Sequence, residues 1–157
     1  PPCFLNHAIY APDRVSKVAL LGPMGIRSNV ASVFTRLMTI LLNPSEKNKR
    51  SIINWALGEN PIVRRDYAEY MYYAVECPGK MGFPVNLSGK ELKELTAPVL
   101  LFLGGEDRPI GNPQPVAEKA KKYLPTVEVV ILPGAGHVMN IEEPEVVNQR
   151  LLGFFGD

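Results

Sequence analysis

The sequence predicts an α/β fold in which parallel strands alternate with helices, and three observations support this prediction. Residues 98–103 (PVLLFL) and 127–132 (VEVVIL) are short, nearly continuous apolar runs bounded by proline or glycine. Such runs are typical of strands buried on both faces of a parallel sheet. Residues 15–21 (VSKVALL) form a third strand pattern that ends at Gly22-Pro23. Helical periodicity lies between these runs, so right-handed parallel crossovers are expected.

Length and composition indicate one soluble domain. The chain has 157 residues, of which 46% are hydrophobic and 21% charged, and its formal net charge is +1. This charge gives no electrostatic reason to expect binding to nucleic acid or to an anionic membrane. No apolar run is long enough to span a membrane, and the first residues lack the pattern of a secretion signal.

The two cysteines indicate neither a disulfide framework nor a metal site. Cys3 and Cys77 are far apart in the sequence, and neither has a metal-ligand spacing to a histidine. We therefore expect a reduced, cytoplasmic setting, with no metal and no cofactor.

The segment from residue 27 to about residue 89 has helical periodicity. Residues 4–10 predict the end of a helix, and after the first strand a new helix is expected behind a candidate cap at Ser28 or Asn29. A second helix is predicted over residues 45–57, and a third starts at Asn60 with Pro61 in its first turn. Because this segment is too long for an ordinary crossover, we expect residues 27–89 to form a helical cap or lid. Residues 1–26 and 90–157 then form the core.

The last third of the chain completes the alternation. After the strand at residues 98–103, a helix is predicted with Asn112 as its cap and Pro113 in its first turn. The strand at residues 127–132 follows, and a final helix is expected from Pro144 to Gly156.

An acid and a histidine follow two of the predicted strands. Asp107 comes after Gly104-Gly105, and His137 comes after the turn at residues 133–136 (PGAG). In open α/β sheets, ligands bind at the carboxyl ends of the strands, so both side chains are expected at one sheet edge. There the carboxylate could accept the Nδ1 proton and leave His137 to act as a general base. The alternative for Asp107 is a turn-forming role before Arg-Pro.

Other candidate groups are assigned ordinary roles. Glu106 is expected to be solvated, and Glu142 and Glu143 are expected near a helix N-terminus, where the helix dipole favours negative charge. His7 lies in a helical pattern without an acid at a suitable spacing. Cys3 is expected to be an inert thiol.

The motifs TAPVLLFLGGEDRPI and LPTVEVVILPGAGHVMNIEEPEVVNQRLLGFF resemble the C-terminal part of an α/β-hydrolase. The resemblance extends back to APDRVSKVALLGPMG, and it implies a triad in the order nucleophile, acid, histidine, with Asp107 and His137 as its last two members. The family's G-x-S-x-G elbow is absent from the sequence. The segment PCFLNHAIYAPDRV looks like the later turns of the helix after the elbow, so the serine and both oxyanion donors are expected upstream of Pro1.

The resemblance implies a carboxylesterase that needs the preceding half of the hydrolase as a covalent, nicked or separate partner, and this chain alone is expected to be inactive. The cap is expected to bind an ester with an apolar acyl or aryl group. Residues expected to contact this small-molecule substrate are Met24, Met38, Tyr70, Met71 and Val138; further apolar cap candidates are Trp55, Tyr67, Tyr72, Met81 and Phe83. Core or inter-helix packing is the alternative for each. Two alternatives for the function also remain: another chemistry of the superfamily, such as that of a dehalogenase, lactonase or peroxidase, and a non-catalytic hydrolase-like binding protein.

Overall fold

A computed structural model describes residues 3–76 and 86–156, and its three strands form one parallel sheet. The strands are β1 (Val18–Leu21), β2 (Val99–Gly104) and β3 (Val127–Leu132), and they lie in the order β1-β2-β3. The register pairs Leu21 with Phe102 and Gly104 with Leu132. The predicted α/β fold with a three-stranded parallel sheet is confirmed.

Nine α-helices accompany the sheet within the described ranges. They are α1 (Cys3–Tyr10), α2 (Val30–Leu42), α3 (Glu46–Leu57), α4 (Pro61–Asp66), α5 (Ala68–Glu76), α6 (Gly89–Lys93), α7 (Pro113–Tyr123), α8 (Met139–Glu142) and α9 (Pro144–Phe155). A 3-10 turn, Pro12–Arg14, follows α1. None of these helices is both long and apolar enough to cross a membrane.

The central strand β2 carries the core. All six of its residues are buried. Because successive side chains of a strand point to opposite faces, Leu101 and Leu103 pack with α1 and α7, while Leu100 and Phe102 pack with α8 and α9. Burial of each of these side chains contributes about 1.5–3 kcal/mol relative to its exposure.

Strand β3 is less buried than the sequence predicted. The apolar run 127–132 suggested burial on both faces, but only Leu132 is buried and Glu128 is exposed. The reason is its position: β3 pairs only with β2, so it lies at one edge of the described sheet. Glu128 forms an ion pair with Arg150 of α9 across this edge.

The first three helices between β1 and β2 begin close to the predicted starts, and Asn29, one of the two candidate caps, caps the first of them. The side chain of Asn29 caps α2, that of Ser45 caps α3, and that of Asn60 caps α4. The predicted third helix is in fact two helices, because Tyr67 interrupts it. Both helices contact α3, and α4 also packs against α8. The predictions for Cys77, Met81 and Phe83 lie outside the described residues.

Candidate active site

The loops after β2 and β3 are locked together at the carboxyl edge of the sheet. The N–H of Gly105 donates to Leu132 O (2.8 Å), and the N–H of Glu106 donates to Ala135 O (3.0 Å). A Cβ at Gly104 would collide with the carbonyl oxygens of Ala135 and Gly136. A glycine at residue 104 is therefore required for this close approach, which sets the positions of the side chains that follow.

Asp107 and His137 meet at this edge. The Oδ2 of Asp107 lies 2.9 Å from the Nδ1 of His137, and only 1% of Asp107 is exposed. An ionised carboxylate only accepts hydrogen bonds, so a neutral imidazole in this contact carries its proton on Nδ1 and keeps a lone pair on Nε2. The imidazole is 28% exposed, so part of the ring is accessible to solvent. The predicted juxtaposition of acid and histidine is thus present.

Asp107 also has the turn-forming role that the sequence analysis gave as its alternative. Its Oδ1 accepts a hydrogen bond from the N–H of Ile110 (3.0 Å). One oxygen of Asp107 therefore shapes the loop while the other contacts the imidazole. Each carboxylate oxygen has a partner, as a buried charge requires.

Gly22 follows β1 directly and leaves room for the Asp107–His137 pair, a role that the sequence analysis did not predict. Its φ is +52°, and a Cβ there would lie 2.8 Å from the Oδ2 of Asp107 and 3.3 Å from the Nδ1 of His137. The sequence signal was only a strand end at Gly22-Pro23. The parallel register, which places Leu21 beside Phe102, brings this strand terminator into the site.

Glu142 lies closer to the site than predicted. It precedes α9 as expected, but its carboxylate turns back and accepts a hydrogen bond from the N–H of Gly136. Burial raises the pKa of the Glu142 carboxyl above 4.5; the Gly136 N–H opposes this shift, and the nearby Asp107 charge adds to it. Glu143, by contrast, is exposed and makes no side-chain capping bond to α9.

The remaining acid and histidine candidates behave as expected. Glu106 is exposed. His7 is also exposed and lines a groove beside β1. Within residues 3–76 and 86–156, the structure contains no cluster of three His, Cys, Asp or Glu side chains that could hold a metal ion.

The structure gathers some of the predicted substrate-binding residues and separates others. Val138 is buried in an apolar cluster with Ile53, Leu57 and Val63 from the helices between β1 and β2, and Met71 packs against this cluster. Because Val138 follows His137 directly, this cluster joins the helical segment to the histidine loop.

The other three predicted contacts lie elsewhere. Tyr70 is 65% exposed, with its ring 5.5 Å from that of Tyr67. Met24 packs against the core cluster around Leu101 and Leu103, and Met38 is half-buried on α2. Met24 and Tyr70 are therefore not members of the Val138 cluster, because one faces the sheet core and the other faces solvent.

A parallel sheet with an acid and a histidine on successive strand ends defines a recognisable class of protein. The model of the alpha/beta hydrolase family matches residues 4–150. The chain belongs to this family, which confirms the resemblance seen in the sequence.

Individual relatives and solved structures are also similar to this chain. Carboxylesterase YbfK of Bacillus subtilis (strain 168) is 28% identical over 162 residues, which cover 96% of this chain and 52% of the relative. The crystal structure of carboxylesterase CesB (YbfK) from the same organism superimposes with a TM-score of 0.77 at 26% identity, covering 98% of this chain and 56% of that one. The naproxen esterase of Bacillus subtilis has a TM-score of 0.81 at 22% identity, with the same coverage, and shares the fold. The chain spans about half the length of the curated relatives it matches.

Proposed function

We propose that this chain is the cap and acid/histidine part of a carboxylesterase. The observation that carries the proposal is the 2.9 Å contact between the buried Asp107 and His137. An imidazole whose Nδ1–H is held by a buried carboxylate has a single tautomer, with Nε2 ready to take a proton. This is the arrangement that acyl transfer by a serine nucleophile needs.

In the proposed reaction, a serine upstream of this chain attacks the ester carbonyl while His137 Nε2 takes the serine proton. Asp107 stabilises the imidazolium, and His137 then gives the proton to the departing alkoxide, which leaves as an alcohol. Water, deprotonated by His137, attacks the acyl-enzyme, and the acid product leaves as the serine regains its proton. The oxyanion donors belong to the upstream part of the protein.

Two features support an ester with an apolar acyl or aryl group as the substrate. The relatives described above carry the name carboxylesterase. The cluster of Val138, Val63 and Met71 also places apolar side chains directly after His137. An apolar wall beside the reacting groups favours a substrate with an apolar moiety over a polar one.

The preceding part of the hydrolase is the proposed partner of this chain. Among residues 3–76 and 86–156, β1 pairs only with β2, so its other edge is free for a further strand. A groove of about 690 Å³ runs beside it, with a mostly apolar lining that includes Leu5, Ala8 and Leu20. We infer that the upstream segment covers this edge and that the chain alone does not turn over esters.

The test uses the complete protein, with and without its upstream segment. We expect labelling by a fluorophosphonate probe and hydrolysis of a short-chain aryl ester only when the upstream segment is present. Both should be lost in His137→Ala, and the exposed acid at residue 143 offers a control in Glu143→Ala. If the complete protein neither reacts with the probe nor turns over any ester, the non-catalytic binding protein becomes the better explanation.

A further inference from the structure

Glu142 contacts the backbone that presents His137. Its Oε2 accepts a hydrogen bond from the N–H of Gly136, and a Cβ at Gly136 would lie 2.9 Å from Oε1 and 3.3 Å from Oε2. The carboxylate therefore packs directly on the main chain at residue 136. Movement of this carboxylate would change the support of the adjacent histidine.

The position of Glu142 is itself fixed by packing. The short helix α8 closes through bonds from the N–H groups of Ile141 and Glu142 to Val138 O, at 2.8 and 3.2 Å. Val138 is buried against the cap segment and Met139 against the sheet. His137 thus lies between a carboxylate anchor on its N-terminal side and a buried turn on its C-terminal side.

A neutral side chain would make the same backbone bond at lower cost. Burial penalises the charged form of Glu142, and the neighbouring Asp107 penalises it further, so its pKa is raised. An amide oxygen could accept from Gly136 without either penalty.

His137 is a basic group whose protonated form interacts favourably with the Glu142 carboxylate. The charges of Asp107, His137 and Glu106 act on the Glu142 carboxyl. The arginines of the helices packed against α8 each have another acid: Arg64 pairs with Glu59, Arg65 with Asp66, and Arg150 with Glu128. A carboxylate near an imidazole favours the protonated ring.

We propose that Glu142 is a positioning residue for His137: its carboxylate holds the Gly136 backbone so that the imidazole stays on Asp107, and its charge favours the imidazolium formed during catalysis. This inference rests on the proposed function for its kinetic consequences. Its structural part, the control of the histidine ring, does not depend on ester turnover.

The experiment compares the complete protein with Glu142→Gln, Glu142→Ala and a matched control, Glu143→Ala, at the adjacent exposed acid. For Glu142→Ala we expect kcat per titrated active site to fall roughly 10- to 100-fold with KM little changed, because small misplacements of a catalytic group cost about this much. Glu142→Gln keeps an acceptor for the Gly136 N–H but loses the charge. Its kcat should therefore lie between that of the parent and that of Glu142→Ala. Glu143→Ala should match the parent.

A second measurement is independent of activity. Two-bond proton–nitrogen NMR of ¹⁵N-histidine-labelled protein, with the ring assigned by its absence in His137→Ala, reports which nitrogen carries the proton. The parent and Glu143→Ala should show one Nδ1–H tautomer, and Glu142→Ala should show exchange between two. A Glu142→Ala protein with the parent's tautomer pattern would overturn the inference, as would unchanged kcat in an active parent. If no variant hydrolyses esters but the tautomer pattern still changes, the proposed function fails and the positioning role stands.

Discussion

Replacing Gly22 by alanine tests whether the end of β1 supports the Asp107–His137 pair. The new Cβ would lie 2.8 Å from Oδ2 of Asp107, whereas ordinary van der Waals contact begins near 3.4 Å. The oxygen would have to move by about 0.6 Å, and a shift of that size away from the ring takes the 2.9 Å contact to about 3.5 Å, beyond the usual range of a hydrogen bond. We expect kcat for ester hydrolysis to fall roughly 100-fold.

The same substitution also carries a backbone penalty, which needs its own control. Gly22 has φ +52° and Gly58 has φ +71°, but nothing lies within 4 Å of a Cβ at Gly58. Gly58→Ala therefore has the strain of a positive φ, roughly 1–3 kcal/mol of unfolding free energy, without a clash at the site.

Urea denaturation of both variants and active-site-titrated ester hydrolysis separate the two effects. We expect a loss of stability in both proteins and a loss of kcat only in Gly22→Ala. Equal kcat in the two variants would refute the idea that Gly22 leaves room for the pair.

Three further predictions concern Asp107, the nearby Glu142 and the packing of Val63 against Val138. Asp107→Asn should lower kcat by roughly 10⁴-fold in steady-state assays with KM nearly unchanged, because the amide no longer selects the Nδ1–H tautomer; a loss below tenfold would contradict that role. Since the folded-state pKa of Glu142 is raised, this group stabilises the fold most below its ordinary value of 4.5 and less as pH rises through the raised value. The unfolding free energy of the parent minus that of Glu142→Gln should therefore fall with rising pH and then level off, and a difference that rises with pH would contradict the shift. Val63, which is fully buried against Val138, should lose about 2 kcal/mol of unfolding free energy on Val63→Ala, whereas the half-exposed Ile62 should lose well under 1 kcal/mol on Ile62→Ala; equal losses would place the cluster elsewhere.

Local sequence patterns were sufficient to predict the strands and the acid/histidine pair. A buried strand is a run of neighbouring residues, and β2 and β3 were found because their apolar character is continuous. The strand-end positions of Asp107 and His137 follow from the same runs, since parallel strands finish at one edge. These features need only short-range information and the general rules of α/β sheets.

The features that the sequence analysis missed depend on contacts between distant residues. Gly22 approaches Asp107 only because β1 pairs with β2 with Leu21 beside Phe102. The turn of Glu142 toward Gly136 depends on α8, a single turn fixed by packing on both sides. The exposure of β3 follows from its place in the strand order, which its own composition does not encode.

The contacts that hold Asp107 and His137 in place come from described residues of this chain. Asp107 is buried with both oxygens engaged, one by Ile110 N–H and one by His137. The loops that carry the pair are joined by backbone bonds between residues 105–106 and residues 132–135. The pair should therefore keep its geometry whichever nucleophile faces Nε2. The free edge of β1 and its apolar groove are different, because under the proposed function a further strand from the upstream segment covers them. Loss of the upstream segment should accordingly expose apolar surface at β1 while the Asp107–His137 contact persists.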